Sequence, residues 1–170
     1  MKKSSYILIA VIVVLAAAAA VLAWLNWRSM AGREPATLVI KAGGEEVGSI
    51  ALEEIEALGG EEFTAVLRSS GKAPEESVYT GLPLLQVVEA VQPGLIDADS
   101  VITVKALDGY AVTYSGEEML RENHIYLVWL KDGKPLGSKS SGGMGPLLVI
   151  PRQREFGQYW CKFAAEVDIR

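Results

Sequence analysis

Residues 6–27 form one apolar run without a single charge, at the very start of the chain. Lys2 and Lys3 precede it, and Arg28 and Arg33 follow it. An apolar run of about 20 residues spans roughly 30 Å of hydrocarbon as a helix. The rest of the chain is therefore expected to work at a membrane surface or beyond it. A basic start also fits a secretory signal, and Val21-Leu22-Ala23 and Ser29-Met30-Ala31 both loosely resemble cleavage sites. Against cleavage, the run is longer than a usual signal core, and Trp24 and Trp27 sit where an interfacial aromatic belt would be. The expected layout is a cytoplasmic tail (residues 1–5), a transmembrane anchor (6–27), a linker (28–35) and an extracytoplasmic domain (36–170) on a single-pass protein of the cell membrane. Basic residues flank both ends of the run, so the orientation rests on the tail being too short to hold a domain.

Beyond the anchor lie about 136 residues, the size of one domain. All 21 acidic residues of the chain lie at or after Glu34, with 12 of its 16 basic ones, a net charge of −9 from Glu34 onward. That balance argues against a nucleic-acid partner. The charge is polarised. Glu45, Glu46, Glu53, Glu54, Glu56, Glu61 and Glu62 crowd the first third, whereas Lys131, Lys134, Lys139, Arg152, Arg154 and Lys162 make the last third basic. Such a division reads either as two solvated faces or as a basic region drawing a small anionic ligand. Cys161 and His124 are the only residues of their types. An intramolecular disulfide and a structural zinc site are thereby excluded.

Hydrophobic pattern predicts strands over 37–41, 47–50, 63–68, 77–80, 100–106, 110–114, 125–130, 147–150 and 165–169. Helices are predicted over 51–58 and 82–91, with Pro83 in the first turn of the second, and a short third one begins at Ser115. Gly43-Gly44, Asp108-Gly109 and Asp132-Gly133 read as turns, with the hairpin at Asp108-Gly109 the clearest. Strands dominate and no βαβ rhythm is present. The fold class is α+β, with a mixed, mostly antiparallel sheet and a few short helices.

Several catalytic patterns can be set aside. Ser69-Ser70-Gly71-Lys72 matches S-x-x-K, but Gly71 and Pro74 hold it in a loop, and the partner motifs SDN and KTG are absent. His124 has no G-x-S-x-G elbow to serve and reads as a core or edge residue. Ser140-Ser141-Gly142-Gly143-Met144-Gly145 is either a flexible connection or a loop that cradles an anion with its amides, and no G-K-[ST] follows to make it a P-loop. Cys161, between Trp160 and Lys162, reads as a packed thiol.

Four segments from Tyr79 onward carry a family resemblance, in order. They are Tyr79-Thr80-Gly81-Leu82-Pro83-Leu84, Asp108-Gly109-Tyr110, the WLKDGKPL of residues 129–136, and Gly145-Pro146-Leu147-Leu148-Val149-Ile150-Pro151, with Trp160 and Lys162 just beyond. Together they resemble the molybdopterin-binding oxidoreductase domain of the sulfite-oxidase type over somewhat more than half of the chain. The resemblance implies a sulfite-oxidase-like fold and a cofactor site bordered by Ser69, Ser70, Asp108, Tyr110, Gly142, Gly143 and Gly145, with Lys139 the nearest cation. It also implies a molybdopterin cofactor, yet the loop that carries the family's metal-ligating cysteine reads Leu67-Arg68-Ser69-Ser70-Gly71-Lys72. A serine oxygen replaces a soft thiolate poorly on this metal. Leu148 further stands where the family has arginine. The expected function is a non-catalytic ligand- or partner-binding module. The alternatives are an oxidoreductase holding molybdopterin without the cysteine, and an accessory protein docking an electron-transfer complex or another membrane protein.

Overall fold

A computed structural model describes residues 36–170, with Ile12, Val13 and Leu15 ahead of them. Those three are helical, and the expected tail, anchor and linker otherwise lie outside the described residues. Among the described residues no helix is long and apolar enough to cross a membrane. The chain divides into two units, Met1–Arg33 and Glu34–Arg170.

β1 (Thr37–Ala42) and β2 (Glu45–Ala51) pair across Gly43 and Gly44, both at positive φ, as the sequence predicts. α1 (Leu52–Ala57) buries Leu52 and Ile55. β3 (Glu61–Leu67) pairs with β4 (Glu75–Pro83), and α2 (Leu84–Val91) buries Leu84, Val87 and Val88. β5 (Val101–Ala106) and β6 (Ala111–Ser115) form a hairpin ahead of α3 (Gly116–Leu120). Ser115 caps α3, its hydroxyl accepting from the Glu118 amide at 3.2 Å. β7 (Ile125–Lys131), β8 (Lys134–Pro135), β9 (Leu148–Pro151), β10 (Cys161–Lys162) and β11 (Ala164–Ile169) complete the chain. Single 3₁₀ turns stand at Lys139–Ser141 and Gly157–Tyr159.

These strands make two sheets, in the orders β2-β1-β11-β5-β6 and β10-β9-β7-β4-β3, with β8 added to β7. Every ladder is antiparallel except β1 against β11. The mostly antiparallel α+β class expected from the sequence is observed, but in two sheets where one mixed sheet was expected.

β7 explains how the core is divided. Its apolar run has no polar face because both of its faces are buried. Ile125, Leu127 and Trp129 enter the core shared by the two sheets and three helices. Tyr126 and Val128 point the other way, into a second cluster with Phe63, Tyr79, Leu148, Ile150 and Trp160.

Three local expectations are corrected. The helix predicted from Leu82 starts at Leu84, because Leu82 and Pro83 stay in β4 opposite Leu127 and Tyr126. A residue before proline is pushed to extended geometry, which favours the strand here. The connection predicted over 69–76 is shorter, since β4 already begins at Glu75. The hairpin turns also exchange roles. Asp132 (φ 50°) and Gly133 (φ 69°) are both left-handed between paired Lys131 and Lys134, the geometry of a two-residue type I′ turn. At Asp108-Gly109 only Gly109 has positive φ, and Tyr110 precedes the return strand instead of starting it. That loop is closed by the Ala106 amide donating to the Tyr110 carbonyl at 2.8 Å.

Candidate functional site

Two loops and the end of the chain meet at one edge of the core. The Asp108 carboxylate accepts from the Tyr110 amide at 3.2 Å and pairs with Lys139 Nζ at 3.3 Å. These two contacts hold its carboxyl below its usual range, the amide more than the lysine. Lys139 thereby ties the 3₁₀ turn of the Ser/Gly loop to the β5–β6 turn. Phe163 makes the second tie, because its amide donates to the Met144 carbonyl at 2.9 Å and its carbonyl accepts from Leu107 at 3.0 Å. Phe163 has a φ of 57°, costly for a bulky residue and met at strained, functional positions. Its ring and backbone fill the space where Gly145 would carry a side chain, so Gly145, at φ 97°, must be glycine.

Asp108, Tyr110, Gly157, Trp160, Lys162 and Phe163 line an open cleft of about 290 Å³. The Tyr110 hydroxyl donates to the Gln158 carbonyl at 2.6 Å, closing one side. Trp160, 1% exposed, donates its indole N–H to the Arg154 carbonyl at 2.8 Å. Lys162 takes part in no ion pair among the described residues, so the cleft carries one uncompensated cation. Leu107 (69% exposed) and Phe156 (58%) adjoin it in sequence as unburied apolar side chains. A cleft with three aromatic walls and a free ammonium suits a small anion or an anionic group on a flat ring.

The expected site residues divide into two groups. Asp108 and Tyr110 line the cleft, and Gly145 supports it from behind Phe163. Ser69 does not line the cleft and lies behind Gly157, with Oγ 3.8 Å from the point where a Cβ on Gly157 would lie. Arg68 fastens that segment, since its amide donates to Glu155, its carbonyl accepts from Gly157 and its side chain pairs with the Glu155 carboxylate. Ser70 is exposed in the following turn. The amides expected to cradle an anion are already engaged inside their own loop. Gly142 donates to Lys139, Gly143 to Ser138, Met144 to Leu136 and Gly145 to Gly137, at 2.9–3.1 Å. Those amides are therefore not free to bind an anion. Gly157 and Phe163 were absent from the sequence expectation. The signal for them was aromatic density, with Phe156, Tyr159, Trp160 and Phe163 inside one stretch of eight residues.

The donor set does not fit the metal that the resemblance implies. Cys161 is fully buried in the inter-sheet core with Sγ 3.8 Å from the Val104 carbonyl, and burial pushes its thiol up to about 12. A thiol so placed stays protonated and turned away from the cleft, whereas a metal ligand must be an accessible thiolate. Among the described residues no group of three His, Cys, Asp or Glu side chains could hold a metal ion.

His124 is 3% exposed, as its core reading required, and its Nδ1 has no partner among the described residues. Burial holds its pKa below the ordinary 6.5, outweighing the attraction of Glu118. Between that lowered value and 6.5 the unfolded chain binds the extra proton, so the stability His124 permits is complete above 6.5 and declines as pH falls below it. Denaturation from pH 8 to 5 is expected to show this decline, with a slope of at most about 1.4 kcal/mol per pH unit from one proton. His124→Phe should flatten it, and an unchanged slope would remove His124 as its source.

Neither a protein-family model nor a curated protein matches the chain. Solved structures share its fold. The crystal structure of the sulfane dehydrogenase SoxCD from Paracoccus pantotrophus aligns at 17% identity with a TM-score of 0.63, over 79% of this chain. The chain spans 38% of the length of that one, and at this identity the likeness is one of fold.

Proposed function

We propose that residues 36–170 are a ligand-binding module on a sulfite-oxidase-like scaffold, taking a small anionic ligand in the Asp108–Lys162 cleft and not carrying thiolate-ligated molybdenum. The observation that carries this reading is Lys162, an unpaired cation in a cleft walled by Tyr110, Trp160 and Phe163, while the one thiol is locked in the core. The ordered sulfite-oxidase-type motifs and the fold likeness to a sulfur-compound dehydrogenase agree with it. Titration with inorganic sulfate, read on the tryptophan indole signals, tests it. Lys162→Met should weaken binding by about tenfold or more, the scale of one charge-assisted hydrogen bond. Equal binding by wild type and variant would place the anion elsewhere.

A rival reading draws on Ser69 beside Gly157: a molybdopterin-holding oxidoreductase with oxygen ligands. Elemental analysis of protein made in a molybdopterin-competent host separates the two. We expect no stoichiometric molybdenum, and one metal per chain would favour the rival.

In the same reading residues 6–27 anchor this module at the cell membrane with its carboxy-terminal domain extracytoplasmic, and the unburied Leu107 and Phe156 would face a membrane-protein partner. The expected product of cell fractionation is a membrane-bound chain of full mass. A soluble product beginning at Trp24 or Gly32 would mean that the run is a cleaved signal.

A further inference from the structure

We propose that the Glu118–Arg154 ion pair pins the aromatic wall of the cleft, and that a proton on His124 withdraws the pin, placing the cleft under acid control. The consequence for binding rests on the cleft being the ligand site, as proposed above; the coupling itself can be read without any ligand.

The segment between β9 and β10 supplies Gly157 and Trp160 to the cleft. Arg154 is its centre. The guanidinium pairs with Glu118 Oε1 on α3 and lies 4.9 Å from the centre of the Tyr159 ring. The carbonyl of the same residue accepts the Trp160 indole N–H at 2.8 Å. The Tyr114 hydroxyl, from β6, donates to the Tyr159 carbonyl at 2.7 Å. One carboxylate on a helix thus fixes the residue on which both aromatic rings are arranged.

That carboxylate has a second suitor. His124 Nε2 lies 3.9 Å from the same Oε1 of Glu118. The charged groups acting on His124 are Glu118 from α3, Arg121 just after that helix, and Arg154 from the segment after β9. A neutral imidazole leaves Glu118 to Arg154. An imidazolium brings a second cation to one oxygen and repels Arg154 and Arg121. The His124 side chain is only 3% exposed, whereas the Arg154 side chain is 34% exposed. Arg154 is therefore the partner that leaves, because water can replace its bond while nothing replaces that of a buried imidazolium. Its departure removes the cation from the Tyr159 ring and shifts the carbonyl that holds Trp160.

The sequence makes the test clean, since His124 is the only histidine and Trp160 one of four tryptophans. Nuclear magnetic resonance on the full-length chain in detergent micelles, labelled at the histidine ring and the tryptophan indoles, follows both ends of the coupling. Trp160→Phe assigns its indole signal. In wild type the Trp160 signal should move with the same midpoint as His124. In Glu118→Gln, His124 should still titrate while Trp160 no longer follows. Arg154→Gln should place the Trp160 signal near its acid position already at neutral pH, a reading that serves even where a His124 variant fails to fold. A Trp160 signal that stays still through the His124 titration, or moves identically in Glu118→Gln, overturns the proposal. So does a histidine that never titrates before acid unfolding. A parallel sulfate titration should lose affinity several-fold through the same midpoint. Coupled signals with no sulfate binding at any pH would leave the switch standing and sink the ligand reading instead.

Discussion

Gly81→Ala is expected to cost the domain about 3 kcal/mol or more, the upper end of overpacking in a filled interior. A Cβ at Gly81 would overlap the Leu127 carbonyl oxygen and come within 2.9 Å of Val128 Cγ2. The first of these is backbone of β7, on which both core clusters are built, so it has no rotamer by which to retreat. Gly81 also sits at the register shift between β4 and β7. A loss of this size should lower the thermal midpoint by roughly 10 °C in a domain of this length. Gly109→Ala is the control. Gly109 has a φ of 86° but open space around it, so alanine there should cost only the conformational penalty of about 1 kcal/mol. If the two variants lose equal stability, close backbone approach is not the reason for the glycine in the Tyr-Thr-Gly-Leu-Pro segment.

That contrast marks what a sequence can reveal. The presence of both glycines was plain, and Asp-Gly pairs signalled turns correctly at 108–109 and 132–133. Which of the two was the type I′ turn was hidden, because it depends on whether the Asp is also left-handed, and local composition is the same in both. The uninterrupted apolar run of β7 signalled burial on both faces, and it has it. The pairing of β1 with β11 lay beyond reach, since it joins Val39 to Glu166 across nearly the whole domain and no local periodicity encodes a partner. The site divides in the same way. Asp108 and Tyr110 announced themselves through a short motif. Phe163 did not, because its importance lies in a left-handed φ and in filling the side-chain space of Gly145. The Ser/Gly loop misled for a related reason. Its composition allows an anion cradle, but the Leu136 to Lys139 carbonyls take its amides first.

Trp160→Ala should be the most damaging single truncation near the cleft, at about 3–5 kcal/mol. Three roles converge on this side chain. It is 1% exposed in the outer core cluster, edge-on to the Tyr79 ring at 5.7 Å between centres. It lines the cleft together with Lys162 and Phe163. Its N–H holds the Arg154 carbonyl, the point through which Glu118 reaches the wall. Truncation empties a large volume between β-sheet and loop, and Tyr79, whose buried hydroxyl has no partner among the described residues, cannot swing to fill it without leaving its own packing. Against a total stability of about 5–15 kcal/mol for a domain, such a loss leaves a protein near its folding limit. Trp160→Phe separates the roles. It keeps most of the apolar volume and gives up the indole bond, so it should cost about 1 kcal/mol in bond energy plus the smaller packing defect. Urea denaturation, with slopes compared to confirm that the same surface unfolds, reads both variants. A Trp160→Ala cost below about 1 kcal/mol would place the ring in the range of surface substitutions. The cleft wall would then be too loosely held for an ion pair on α3 to govern it.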